Sequence, residues 1–337
     1  MAWSDAWSRE LDAALGQLPE METCSHDLYR MLARTASSTQ KKFALVRDEG
    51  TPIAAIALRR RHHHWQFMCD GVVPFAGAPA APGRLWDAVS ALGVYVRVFE
   101  WDGPTPDRRL MRFVERSPHY TVSTRLDFDA YWAMKGNRDW LRKARRRTEA
   151  LGAIEFEVGG GDAARWTIDQ WRRKWTGDPM GETDATPDIL AAAAHLAARG
   201  RYHAFRLLID GAPVAGVNMF AQGTTLVMAQ SYRDPRYDRA GIGVHLDERI
   251  FRWSATSPYE VIDLGCGEGY KSRWGDEVGS RTTFGLAPAH VAAARRAAGM
   301  VRRLVAGRRA AVEDDITLGG GRLAPCPKQK LDKAVKD

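Results

Sequence analysis

The order of apolar and polar runs predicts an α/β fold of the α+β kind, organised as two similar domains in tandem, each a mixed β-sheet flanked by helices. Three observations carry this expectation. At 337 residues the chain exceeds one average domain and suits two. Residues 43–58, FALVRDEGTPIAAIAL, and 205–220, FRLLIDGAPVAGVNMF, each read as an apolar strand, a turn built on Asp, Gly and Pro, and a second apolar strand. The two hairpins stand ~160 residues apart, comparable to one domain length. Pro52 then aligns with Pro213, and Phe43 with Phe205 if one residue is gained or lost. Thirdly, each hairpin is followed by alternating helix and strand patterns.

In chain order, helices are expected near 3–16 and 26–36, then strands at 42–48, 52–60 and 64–69. A helix at 84–92, a strand at 93–100, a helix near 106–116 and a strand at 119–126 complete the first half. The second half opens with a helix over 136–151 and repeats the order. Helices near 162–175 and 186–199 precede strands at 202–210, 213–221 and 224–232, a helix at 241–255, and strands at 259–264 and 281–286. An Ala- and Arg-rich helix at 289–308 and a Pro/Lys-rich tail from 324 follow.

Composition narrows the class of function. With 45% apolar and 27% charged residues the chain can bury ordinary cores. No apolar run reaches the ~18 residues needed to cross a bilayer, and MAWSDAWSRELDAALG lacks the layout of a signal peptide, so no membrane span and a cytosolic location are expected. Cys24, Cys69, Cys266 and Cys326 are scattered, without CxxC pairs or His partners, so neither a disulfide framework nor a metal site is expected. The run RRRHHHWQF at 59–67 alternates its His residues across a strand and reads as an exposed basic hairpin. A net charge of +8 favours anionic partners.

The stretch VIDLGCGEG at 261–269 looks, by itself, like the cofactor loop of an S-adenosylmethionine-dependent methyltransferase. Such a loop follows the first strand of a doubly wound sheet, and the remaining strands come after it. Here only 70 residues follow Gly267, with one strand pattern and one helix among them. The sheet is therefore built upstream, and the glycines belong to a late turn.

Five pieces occur in order over about half the chain: KGNRDWLRKARRRTEALG at 135–152, the second hairpin, TTLVMAQSYRDPRYD, GIGVHLDERIF, and DLGCGEGYKSRWG. Together they resemble the transferase domain of the Fem family, whose members are built from tandem GNAT-type N-acyltransferase domains. The resemblance implies GNAT-like domains at 1–127 and 128–309, with a tail at 310–337 packing on the first. It places the aromatic-Lys pair, Tyr270 and Lys271, at the active site. It further implies aminoacyl-tRNA as acyl donor and, as acceptor, the free amine of a peptidoglycan precursor or peptide-like metabolite.

The residues themselves support such chemistry. Acyl transfer to an amine needs a deprotonated nitrogen, a site for the developing oxyanion and a grip on the donor. Lys271 beside Tyr270 can place a cation near a reacting carbonyl or a donor phosphate. Asp263 and Glu268 can orient an amine or take its proton, while Asp263 can equally cap a backbone N–H and Asp234 reads as a turn former beside Pro235. Six of the ten residues from Arg138 to Arg147 are basic. Donor contacts are accordingly expected from Lys135, Asn137, Arg138, Arg142, Lys143 and Arg146, with Tyr232 alongside; a solvated helix face is the alternative. Gly241 and Gly243 open a helix whose free N–H groups suit a phosphate. In DRAGIG, Asp238 stands where CoA-dependent GNAT enzymes carry Gln or Arg, an acid that would repel a pyrophosphate. Trp171, Trp175 and Trp274 are candidates to shape a substrate cleft.

The expectation is an N-acyltransferase that forms an amide bond, with aminoacyl-tRNA as donor and neither metal nor other cofactor. Acyl-CoA is the alternative donor, and a non-catalytic RNA- or peptide-binding module with the same fold is the alternative class.

Overall fold

A computed structural model describes residues 3–4, 8–15, 41–48, 51–61, 64–67, 86, 89–90, 95–101, 106, 111–174, 186–267, 269–286, 288, 290–291 and 294. The expected helix at 26–36, nearly all of the one at 289–308, most of the one at 84–92, the tail, Glu268, Trp175 and three of the four cysteines lie outside them. Residues Met1–Ala289 form one compact unit.

Twelve strands make one sheet in the order β1-β2-β3-β4-β5-β12-β6-β11-β10-β9-β8-β7. They are β1 Trp3–Ser4, β2 Lys41–Asp48, β3 Thr51–Arg61, β4 His64–Phe67, β5 Val96–Trp101, β6 Met111–Ser123, β7 Ile154–Gly159, β8 Tyr202–Ile209, β9 Ala212–Gln222, β10 Thr225–Arg233, β11 Val261–Cys266 and β12 Asp276–Leu286. Helices are α1 Arg9–Leu15, α2 Phe128–Met134, α3 Arg138–Glu149, α4 Gly161–Lys174, α5 Thr186–Ala197, α6 Ile242–Ser254 and α7 Lys271–Trp274, with a 3₁₀ turn at Pro235–Ala240.

The pairing pattern repeats. β1 through β4 are successively antiparallel, β4 and β5 are parallel, and β5 is antiparallel to β12. β7 through β10 follow the same rule, β10 and β11 are parallel, and β11 is antiparallel to β6. β6 and β12 then pair with each other and join the two sets. The last strand of each set thus comes from the other half of the chain. The expected division at 127/128 coincides with the N-cap of α2, where Asp127 accepts from the amides of Asp129 and Ala130, and the sheet runs unbroken past it.

The hairpin repeat is legible in the register. Val46 opposes Ala54 and Arg47 opposes Pro52, with a bulge between; Leu207 opposes Ala215 and Leu208 opposes Pro213, with the same bulge. Pro52 matches Pro213 as expected, but no residue is gained or lost, so Phe43 matches Ala204 rather than Phe205. The DG turn of the second hairpin has φ of 50° at Asp210 and 76° at Gly211, the type I′ geometry whose twist suits two antiparallel strands.

Helices cover both faces of the β8–β10 region. Along β9, Gly216 and Asn218 meet Thr167 and Ala164 of α4, whereas Val217 and Met219 share a core with Ile242 and Leu246 of α6. Period-two alternation makes these opposite faces, so Val214 through Ala221 are all buried.

Three expectations need correction. The helix near 106–116 is replaced by β6, 13 residues long, in which the helical spacing of Leu110, Phe113 and Val114 is overridden by pairing with β12. Pro118 is tolerated inside it because the β11 ladder ends at His119–Cys266, so its missing N–H falls beyond the last rung. The helix near 3–16 starts only at Arg9, after β1. The edge strand β7 and the short helix α2, absent from the expected elements, also form.

Candidate active site

The sheet opens between β10 and β11. β10 and β11 pair only at Thr225–Val227 with Val261–Asp263, after which β10 continues to Arg233 bound to β9 alone. β11 leans instead on β6, with a register shift between Asp263 and Gly265. The gap lies at the carboxyl ends of two parallel strands joined through a crossover helix, the usual ligand position in α/β sheets. Around it stand the end of β10, the start of α6 and the glycine-rich loop after β11.

That loop turns through left-handed backbone at Gly265, Gly267 and Gly269, with φ of 73°, 124° and 86°, conformations costly for any residue with a Cβ. It is held at both ends. Asp263, 4% exposed, accepts from His119 Nε2 at 2.8 Å, from Arg281 Nη2 at 2.6 Å and from the Gly265 amide at 2.7 Å. Burial acts to raise its pKa, but the hydrogen bond from His119 and the Arg281 charge outweigh that and hold it below the usual value. The expected backbone-capping role of Asp263 is therefore present, and its oxygens are fully engaged. At the far end, Trp274 is 1% exposed and stacks among Trp132, Trp140 and Phe251 at 5.6, 5.4 and 4.9 Å. It is a core plug, not a cleft wall.

Lys135 and Asn137 join this anchoring. Lys135 Nζ donates to the carbonyls of Gly275 at 2.5 Å and Ser272 at 3.3 Å and pairs with Asp276 at 2.8 Å. Asn137 Nδ2 donates to the Arg273 carbonyl at 2.6 Å. The Lys-Gly-Asn stretch before α3 is thus spent on the backbone of α7, and neither polar group projects toward the gap.

Between these anchors lie Tyr270 and Lys271. Lys271 Nζ donates to the Cys266 carbonyl at 2.5 Å, across the loop. Tyr270 is 42% exposed, and its hydroxyl is pushed up from its ordinary value by partial loss of solvent and by the charge of Asp247. Asp247, on α6, went unnoticed in sequence because nothing in GIGVHLDERIF separates it from any other helical acid. Burial pushes its carboxyl up to about 7, against the opposing charge of Arg233. Tyr270, Asp247 and Arg233 therefore form one electrostatically coupled cluster beside the gap. A carboxyl poised near neutrality beside a protonated phenol is the pair that acid–base catalysis requires.

The start of α6 is shaped by packing. Gly241 is left-handed at φ 81°, and a Cβ there would lie 3.0 Å from that of Ala144, so α3 crosses closely. A Cβ on Gly243 would lie 3.3 Å from the Cδ of Arg233. Asp238 is not a bare charge, since it pairs with Arg233 at 2.7 Å. Asp234 caps the 3₁₀ turn through the Arg236 amide at 2.9 Å. Tyr232 faces the other side of the sheet, against Trp166 of α4 at 5.7 Å.

α3 buries Leu141, Ala144 and Thr148 and exposes its basic face. It runs antiparallel to α6: Thr148 and Arg147 reach the carbonyls of Ala240 and Arg239 at 3.3 and 3.5 Å, while Arg145, one turn earlier, approaches Glu248 further along α6. Arg142 pairs with Asp139 at 2.9 Å. Lys143 and Arg146 are exposed and make no ion pair among the described residues. Arg138 lines a cleft with Arg142 and Arg145.

Residues 135–274 match the family described as an acetyltransferase (GNAT) domain. The fold is GNAT-like. The first and last residues of the matched segment belong to one bonded assembly, Lys135 and Asn137 against α7. A solved C-terminal domain from Agrobacterium fabrum, described as that of a lysylphosphatidylglycerol synthetase, aligns at 14% identity and a TM-score of 0.50 over 87% of this chain and 96% of that one. FemX aligns at 9% identity and a TM-score of 0.44 over 84% and 97% of the two chains. A tandem GNAT protein from the clavulanic acid biosynthesis pathway aligns at 14% and 0.47 over 83% and 93%. None of the curated proteins matches the chain in sequence. Among the described residues no helix is long and apolar enough to cross a membrane.

Proposed function

We propose that the chain is an N-acyltransferase that forms an amide bond in the gap between β10 and β11. The observation that carries this is the parting of the two parallel strands with Asp247, Tyr270 and Lys271 gathered beside it and the N-terminus of α6 at its mouth. In this reading the amine's lone pair attacks the donor's acyl carbon, and the amine proton passes to Asp247. Lys271 places positive charge beside the oxyanion, and collapse expels the donor's leaving oxygen or sulfur, which takes a proton from Tyr270. Asp263, with its oxygens engaged, is a positioning residue for the loop.

For the donor we favour aminoacyl-tRNA. The exposed basic face of α3 runs toward the start of α6, so a phosphate backbone laid along Arg138, Arg142, Lys143 and Arg146 would deliver its 3′ end to the gap. The aromatic-Lys pair at 270–271, shared with the Fem pattern, supports the same reading, and with it a free amine of a peptidoglycan precursor or peptide-like metabolite as acceptor. Acyl-CoA is the second reading, and one observation favours it. Asp238 is neutralised by Arg233, so the acid expected to repel a pyrophosphate no longer does, and the first amides of α6 lack backbone acceptors as at any helix start.

The test is product formation from a charged tRNA pool, with and without ribonuclease, and from acyl-CoA. Loss of product on ribonuclease treatment supports the tRNA donor, and product that survives it but requires acyl-CoA selects the second reading. Full turnover by Lys271→Ala would remove Lys271 from the mechanism. Binding of either donor by the wild-type chain without any turnover would point to the non-catalytic module.

A further inference from the structure

Away from the gap, where α2, α3 and α6 meet, lies a cleft of about 320 Å³ that takes no part in the bond-forming step, although Arg138 and Arg142 in its wall are also proposed donor contacts. Arg138, Arg142, Arg145, Arg252, Glu248 and Trp132 line it. Much of its charge is matched internally. Arg252 binds Asp129 at 2.7 Å, Arg142 binds Asp139 at 2.9 Å, and Arg252 and Arg145 approach Glu248 Oε1 at 3.1 and 3.7 Å.

What remains unmatched defines a ligand. Glu248 is 3% exposed, and its second oxygen, Oε2, is buried without a hydrogen-bond partner. Trp132 is 1% exposed, and its indole N–H is likewise unpartnered. Arg138 makes no hydrogen bond or salt bridge among the described residues, and its charge is felt by Asp129 only at longer range. α3 starts here too, and its N-cap residue Asn137 makes no capping bond, its amide being spent on Arg273. A buried carboxylate oxygen without a donor is costly, so such an atom is a sign of a missing partner.

We infer that this cleft binds a small zwitterion, a free amino acid or a short peptide. Its ammonium donates to Glu248 Oε2, and its carboxylate lies against Arg138, Arg145 and the open start of α3. A simple anion fits less well, because Glu248 Oε2 would face it as a like charge. The volume suits a ligand of one or two residues. The inference does not depend on acyl transfer, because binding here is measured with no donor present.

The experiment is calorimetric titration of the full chain with glycine and glycylglycine. N-acetylglycylglycine, which lacks the ammonium, glycylglycine amide, which lacks the carboxylate, and inorganic phosphate are titrated in parallel. Saturable binding of glycine or glycylglycine is expected, with each blocked analogue at least tenfold weaker; the tighter of the two zwitterions distinguishes a free amino acid from a peptide. Glu248→Gln and Arg138→Gln should each weaken binding about tenfold, and Arg165→Ala, exposed on α4, should leave it unchanged. Should Glu248→Gln fail to fold, the analogue series on the native chain and Arg138→Gln still decide. No saturable heat from either zwitterion, equal binding of the N-acetyl analogue, or phosphate binding as tightly as glycylglycine would overturn the inference.

Discussion

Asp247 carries the most testable consequence at the scale of single residues. Its folded pKa, near 7, lies above the 3.8 of an ordinary aspartate. If it is the base, turnover should climb with pH through about 7 and level off above it, and Asp247→Asn should lower the rate ~10²–10⁴-fold. The same shift has a stability sign. A carboxyl whose pKa is raised on folding stabilises the folded state only while protonated, so its contribution fades as pH rises from about 4 to 7. Asp247→Asn should therefore melt higher than wild type at pH 8 while being less active, a combination that thermal melts and turnover at one pH will check. Asp263 has the opposite sign: its pKa is lowered, so its contribution is complete at neutral pH and is lost on acidification through that lowered value. His119→Ala should destabilise the chain by about 3 kcal/mol in urea titration, because it strips a buried carboxylate of one partner. In the sequence Tyr270 and Lys271 stand out through the Fem resemblance, as an aromatic-Lys pair after a glycine turn. It hid Asp247, whose pKa is set by burial in the folded chain against the charge of Arg233, and it could not show that Lys135 and Asn137 bond to α7.

Among elements, α7 is a single turn that owes its position to its surroundings. Trp274 plugs the aromatic cluster and Gly275 passes within contact of β6, where a Cβ would stand 2.5 Å from the Thr121 carbonyl oxygen. Backbone against backbone leaves little room to yield, so Gly275→Ala should cost about 2–3 kcal/mol by denaturant titration and displace Lys271 with it. Short-range chemistry made the hairpins legible, because Asp-Gly and a following Pro dictate turn and bulge locally. β6 was misread for the complementary reason: its apolar spacing favours a helix, and only the ladders of β12 and β11, about 140–175 residues on, hold it extended.

For the molecule as a whole, the decisive feature is that each set of strands is completed by the other half of the chain. Two domains resting side by side could melt separately, but β6 and β12 leave neither set closed without its counterpart. One cooperative transition is expected by calorimetry over Met1–Ala289, and two well-resolved transitions would contradict it. The tandem repeat was visible in the sequence through its hairpins. The exchange was not, because strand pairing at long separation leaves no local pattern.

The exchange also orders events during synthesis. Among the described strands β12 is the last to leave the ribosome, so β5 waits for its β12 partner while β6 through β11 are being made. A nascent chain stalled before residue 276 would leave β5 and one side of β6 without β12, and open edges of this kind invite pairing with neighbouring chains. Translation speed through the second half of the message is therefore tied to how long the first half must be shielded.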